Sequence, residues 1–244
     1  MMSTMSDAWH TLAPPAGDEH GPLSPLLLTL TVVTGLMDAF SYLVLGHVFV
    51  ANMTGNVVFL AFALVGAKGF SIAPHLLAAA SFVLGALASG RLVARLGGRR
   101  GRILAATTAC EAALVAASSA IGLGVGNPNS GSARYMLIVL LAITGGLQTA
   151  TARRLAVPDL ITTVLTRTIA GAAFDSRLAG GANSQVGRRG LSVAAMFVGA
   201  LGGAYLVLHV SRSLGLLVAL MLLVPVTVAA DRLSRSHPAW DRAS

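Results

Sequence analysis

Apolar runs about as long as a bilayer is thick recur along almost the whole chain. They cover residues 24–46, 74–95, 103–123, 135–152, 191–210 and 214–230, and a helix needs roughly 20 apolar residues to cross the hydrocarbon core. With no water to satisfy its backbone, each run reads as a membrane helix. Ser24 and Pro25 open the first, a cap residue followed by proline at the first helical position. Composition agrees: 11% of the residues are charged, against about 25% in a soluble domain. The sequence therefore predicts an all-α integral membrane protein with one membrane domain over 24–231. Residues 1–23, polar and without Lys or Arg, lack the basic start of a signal peptide and read as a disordered tail. Residues 232–244 read as a basic tail.

Within this apolar background the chain repeats itself. Gly-Leu-Met-Asp-Ala at 35–39 matches Gly-Leu-Gln-Thr-Ala at 146–150, at an offset of 111. Ala-Asn-Met-Thr-Gly-Asn at 51–56 matches Thr-Val-Leu-Thr-Arg-Thr at 163–168, at an offset of 112. Gly-Ala-Leu-Ala-Ser-Gly at 85–90 matches Gly-Ala-Leu-Gly-Gly-Ala at 199–204, at an offset of 114. Two repeats, about 24–124 and 134–231, follow, joined by a Gly/Asn/Pro/Ser linker. Each holds a short polar segment, 48–66 or 159–174, where a helix breaks. Matched breaks in duplicated halves point to a transporter binding site.

Loop charge decides how those segments meet the membrane. If both dip in and return, Arg95, Arg99, Arg100, Arg102, Arg153, Arg154, Arg177, Arg188, Arg189, Arg232, Arg235 and Arg242 share one side. With Arg91 and Arg167 set aside as lying within membrane spans, only Lys68, Arg134 and Arg212 lie opposite. If both cross, the basic residues divide almost evenly. The first arrangement obeys the positive-inside rule. Each repeat then has three crossing helices plus one short re-entrant or broken helix. Three crossings per repeat invert the halves, with both termini cytoplasmic.

The polar residues at these breaks carry what chemistry there is. Asn52, Thr54, Gly55 and Asn56 offer uncharged donors and acceptors beside a glycine, suited to the start of a half-helix whose free N–H groups hold a polar or anionic solute. The matching segment offers Thr162, Thr163, Thr166, Arg167 and Thr168, with Asp159 or Thr162 as cap. Arg167 either pairs with Asp38, Asp159 or Asp175, binds an anion, or extends to the interface. Gln148 lies beside Thr149, the counterpart of Asp38. Asp38 and Glu111 are carboxylates at membrane depth, where an ionisable group costs about 2.5–3.5 kcal/mol on insertion scales; both are coupling candidates or buried structural hydrogen bonders. His47, His75 and His209 read as interface residues.

Small residues mark helix contacts: Gly85, Ser89 and Gly90; Gly199, Gly202 and Gly203; and the face formed by Ala105, Ala109, Ala112 and Ala116. Such faces would accommodate a homodimer. The single cysteine, Cys110, reads as a buried packing residue and makes neither a disulfide nor a metal site. A net charge of +8 raises nucleic acid as a partner. The arginines instead sit in short clusters between spans, so the partner is the bilayer. The sequence shows no G-x-S-x-G, H-E-x-x-H or Walker-type phosphate loop. The expectation is therefore no enzyme, no cofactor and no metal.

The run from Thr34 to Leu60, TGLMDAFSYLVLGHVFVANMTGNVVFL, resembles the YoaK-like family of bacterial inner-membrane proteins. The run from Gly146 to Thr168, GLQTATARRLAVPDLITTVLTRT, is similar to that family's second signature, except that Arg167 stands where the family has glycine. The resemblance covers nearly everything beyond residue 24 and implies a multi-pass inner-membrane fold. The expected role is a secondary transporter or channel for a small polar or anionic solute, bound between the two breaks. A non-transporting scaffold or accessory subunit is the alternative.

Overall fold

Amides that leave water without a neighbouring strand must bond within their own segment, and helix dominates accordingly. The computed structural model describes residues 2–15, 18, 20–125, 127–129, 131–157, 165–176, 179–181, 185–235 and 239–241. Its elements are α1 (Met2–Leu12), α2 (Leu23–Val44), α3 (Met53–Leu64), α4 (Ile72–Leu96), α5 (Arg100–Gly124), α6 (Gly131–Leu155), α7 (Leu165–Phe174), α8 (Val186–His209) and α9 (Leu214–Arg235), then a 3₁₀ turn at Ala239–Asp241. Six of these, α2, α4, α5, α6, α8 and α9, are long and apolar enough to cross a bilayer. At 12 residues, α3 reaches about 18 Å, short of a hydrocarbon core of about 30 Å; the described part of α7 has 10 residues.

The helices outrun their apolar stretches at the basic ends. α5 begins at Arg100, α6 passes through Arg153 and Arg154, and α9 continues to Arg235. Arginine favours helix as well as leucine does; it ends burial in lipid, not the helix.

Packing pairs the helices across the two halves. α2 lies on α8, α4 on α6, and α5 on α9; α5 also meets α6, and α2 meets α9. α3 rests on α4 and α7 on α8. With α2–α5 set against α6–α9 in order, exchanging the halves leaves the α5–α9 pairing as it is and turns each of the others into another of them. α2 and α6 are the most buried spans, α4 and α8 the least. The outward faces of α4 and α8 carry Leu76, Val83, Leu84, Phe197, Val198 and Leu201, as a surface against lipid would.

Two backbone crossings fix this arrangement. A Cβ on Gly85 would fall on the Ile143 carbonyl, and one on Gly146 on the Phe82 carbonyl, where α4 meets α6. A Cβ on Gly199 would fall on the Val32 carbonyl, and one on Gly35 on the Met196 carbonyl, where α2 meets α8. These glycines are the ones matched in sequence, Gly35 with Gly146 and Gly85 with Gly199. Gly90 and Gly202, expected at the same contacts, face open space. Ser89 Oγ and Thr151 Oγ1, 3.0 Å apart, join α4 to α6, and Thr227 Oγ1 donates to Thr108 Oγ1 at 2.9 Å between α9 and α5. Cys110 is exposed on α5 rather than buried.

The described parts of both tails pack on the bundle. Residues 2–12 form α1, packed on α8, where Asp7 Oδ2 accepts the Arg188 N–H at 3.0 Å. First-turn amides have no partner inside their own helix, and a carboxylate supplies one. The C-terminal segment does the same for α5. Asp241 Oδ1 accepts the Gly101 N–H at 2.7 Å, and Oδ2 accepts Arg99 Nε at 3.0 Å. Trp240 lies against Gly21 and Gly101. Polar composition signalled disorder in residues 1–23; an aspartate docks their described part, as another docks the C-terminal segment.

Candidate functional site

Two residues after α2 ends, the chain turns back along it. Asp38 Oδ1 accepts the N–H groups of Val50 and Ala51, each at 2.9 Å, which pulls the loop to mid-helix depth. Asn56, in the first turn of α3, clamps the same loop. Its Oδ1 accepts the Phe49 N–H at 3.0 Å and its Nδ2 donates to the Phe49 carbonyl at 2.6 Å. Phe59, Phe70 and His75 pack behind it. His47 and Phe70, on either side of α3, have ring centroids 6.3 Å apart. The segment therefore enters and leaves at one end of the bundle.

α3 starts at the inner end of this hairpin. Its N-cap residue, Asn52, makes no side-chain capping bond, so the positive end of the helix dipole opens onto free space. That space is a cavity of about 540 Å³, lined by Thr34, Asp38, Ala51, Asn52, Met53, Thr54, Gly55, Phe82, Leu165, Thr166 and Met196. Asp38 is buried, and its Oδ2 has no hydrogen-bond partner among the described residues. The start of α7 forms part of the wall through Leu165 and Thr166. The lining includes positions matched by the duplication: Met53 with Leu165, Thr54 with Thr166, and Phe82 with Met196.

The expected site residues separate here. Asn52, Thr54, Gly55, Thr166 and Asp38 line the cavity. Asn56 does not, because both ends of its amide hold the Phe49 backbone. Thr168, the position matching Asn56, is also buried away from the cavity. Gln148 stands one layer back: its Nε2 donates to Thr34 Oγ1 at 2.7 Å and to the Leu30 carbonyl at 2.8 Å. Arg167 is exposed and off the cavity wall, and Asp175 pairs with Arg189 instead, at 2.6 Å. Asp159, Thr162 and Thr163 lie outside the described residues. Glu111 is fully buried in α5, apart from the cavity, and both its carboxylate oxygens lack partners among the described residues. His75, expected at an interface, is fully buried with Nδ1 3.4 Å from Asn56 Oδ1.

Sequence reasoning missed Thr34, Phe82 and Met196. Thr34 lies one turn before Asp38 and so shares its face. Phe82 and Met196 precede Gly85 and Gly199 by one turn, so extending that matched block backward finds both. Among the described residues no group of His, Cys, Asp or Glu is arranged to hold a metal ion.

Six helices long and apolar enough to cross a bilayer define an all-α, multi-pass membrane protein. The chain belongs to the family described as protein of unknown function (DUF1275), which matches residues 26–229. It is 32% identical over 146 residues to the UPF0700 transmembrane protein YoaK of Bacillus subtilis (strain 168). That match covers 59% of this chain and 63% of the relative, so the chain spans under two thirds of the relative's length. No solved structure matches it.

Proposed function

We propose that this protein is a secondary transporter or channel for a small polar or anionic solute, working in the bacterial inner membrane with both termini in the cytoplasm. The observation that carries the reading is the cavity between the two polar segments, lined by Asp38, a buried carboxylate with one oxygen that has no described partner. A purely structural break would leave a dry, fully bonded contact there. Asn56 has that character, which is the one feature favouring a scaffold. The cavity beside it does not.

The chemistry of the wall narrows the solute. The uncapped start of α3 favours an acceptor or negative charge. The Asp38 carboxylate, on the same wall, favours a donor. A solute presenting both, such as a protonated weak acid or a small amide, satisfies both. Asp38 then doubles as a proton-coupling group, and Glu111 is a second buried carboxylate available for coupling. The reading includes inverted repeats, supported by the exchange of helix pairings and by the matched glycines at both crossings. It assigns the chain no catalytic step.

The test is a swelling assay on proteoliposomes with urea, glycerol, sodium acetate and sodium nitrate as probes. At least one probe should enter faster than in protein-free liposomes, and Thr54→Val should slow its entry while the protein stays folded. Entry equal to that of empty liposomes for every probe, or unchanged by Thr54→Val, would count against transport through this cavity.

A further inference from the structure

At the arginine-rich end of the bundle, α5 and α9 part around a second cleft, of about 590 Å³, far from the polar segments. Its mouth carries Arg102, Arg232 and Arg235 with Asp231. Arg235 is held by Asp231, with Nη2 2.6 Å and Nε 3.0 Å from Oδ2. Arg102 and Arg232 make no ion pair or hydrogen bond among the described residues. Two unpaired charged side chains thus face one concave surface beside the Arg235–Asp231 pair. Below the mouth the wall changes character: Ala105, Ala106 and Ala109 line it from α5 and Val228 from α9. Positions 102, 105, 106 and 109 fall on one helix face, and the trough descends about 10 Å from Arg102 to Ala109. Thr227 closes part of the floor, its hydroxyl already bonded to Thr108 and to the Leu223 carbonyl. The alanine face that reads in sequence as a helix-packing stripe therefore opens here on a groove.

We propose that this cleft binds an anionic phospholipid, its phosphate between Arg102 and Arg232 and an acyl chain along Ala105, Ala106 and Ala109. The charge complements a phosphate, and the guanidinium fork fits its oxygens. The arginines stand where the spanning helices end, at headgroup depth, and the apolar trough runs inward from them, as a lipid lies. Basic pockets between membrane helices hold anionic headgroups in this way. A water-soluble phosphate would fill only the mouth and leave the trough empty. This inference requires only that the chain spans a membrane, and stands whether or not it transports.

Native mass spectrometry of the detergent-purified full chain tests it, with phosphatidylglycerol and phosphatidylcholine offered in equal amounts. Phosphatidylglycerol adducts should dominate. Arg102→Gln and Arg232→Gln should each reduce that preference roughly fivefold, and Arg154→Gln, on the same end but outside the cleft, should not. Ala106→Leu, which keeps every charge and fills the trough, should also remove the adduct. Glycerol 3-phosphate, which has the headgroup chemistry without chains, should fail to displace the lipid. Equal retention of the two lipids, displacement by glycerol 3-phosphate, or a cleft filled by a second copy of the chain would each overturn the proposal. Melting temperatures establish that every variant is folded; if one arginine variant is not, Ala106→Leu alone decides.

Discussion

Asp38 and Asn56 look alike in sequence, polar residues in apolar surroundings, yet the structure gives them different work. Asn56 has an amide on each side of its chemistry, and the Phe49 N–H and carbonyl use both. Removing it leaves two backbone groups unsatisfied in a dry setting, at about 1–3 kcal/mol each. Asn56→Ala should therefore lower the melting temperature of the detergent-purified protein clearly, and addition of a transported solute should not restore it. Asp38 lines the cavity with one oxygen on the Val50 and Ala51 amides and the other buried without a hydrogen-bond partner among the described residues. Asp38→Asn keeps an acceptor for the loop and replaces the unpartnered oxygen with a donor. It should melt close to the unmodified protein, judged by scanning fluorimetry, and should abolish solute entry in the proteoliposome assay. A large loss of stability in Asp38→Asn would show the free oxygen to be structural. Residue type was enough to flag both positions, but not which way each side chain turns, and that separates clamp from cavity wall.

At the scale of elements, the glycines at the two crossings should be intolerant and their neighbours tolerant. Gly85→Ala and Gly146→Ala place a methyl group on a facing carbonyl, and rigid helix backbones cannot yield without opening the α4–α6 contact. A loss of about 1–3 kcal/mol is expected, the usual range for overpacking. Gly90→Ala and Gly202→Ala meet nothing within 4 Å and should gain up to about 1 kcal/mol from helix propensity. Unfolding in graded detergent mixtures would rank the four; equal effects would mean that the crossings are not tight in the membrane. The spans and the short segments were readable as elements because apolar length is a direct physical requirement of the bilayer. Gly85 and Gly199 were readable as contacts because small residues stand out where lipid gives helices no hydrophobic reason to associate. Gly90 and Gly202 were indistinguishable from them, since facing direction depends on the partner helix. α1 and the turn at Ala239–Asp241 were illegible for a related reason: each is held by one aspartate reaching a helix start distant in sequence, and nothing local marks that target.

For the whole molecule, the decisive question is the face on which each loop emerges. The contacts already order the ends. Asp7 meets Arg188 and Asp241 meets Gly101, so both terminal segments lie at the end that carries the starts of α5 and α8. Arg134 Nε donates to the Leu45 carbonyl at 2.9 Å, which puts the end of α2 beside the start of α6 at the other end. α3 is too short to cross, and the 6.3 Å approach of His47 to Phe70 closes its segment at that same end. The proposed topology places Lys68 and Arg212 on the external face, and Arg154 and Arg235 on the cytoplasmic face. In a Cys110→Ala background, Lys68→Cys and Arg212→Cys should react with a membrane-impermeant maleimide on intact cells. Arg154→Cys and Arg235→Cys should react only after permeabilisation. Two fully crossing short segments would instead separate Lys68 from Arg212 and Arg154 from Arg235. A split within either pair would thus remove the inverted arrangement. It would also remove the reason for α3 and α7 to begin at a shared cavity, since a chain that crosses at α3 cannot also begin that helix beside Asp38 within the bundle.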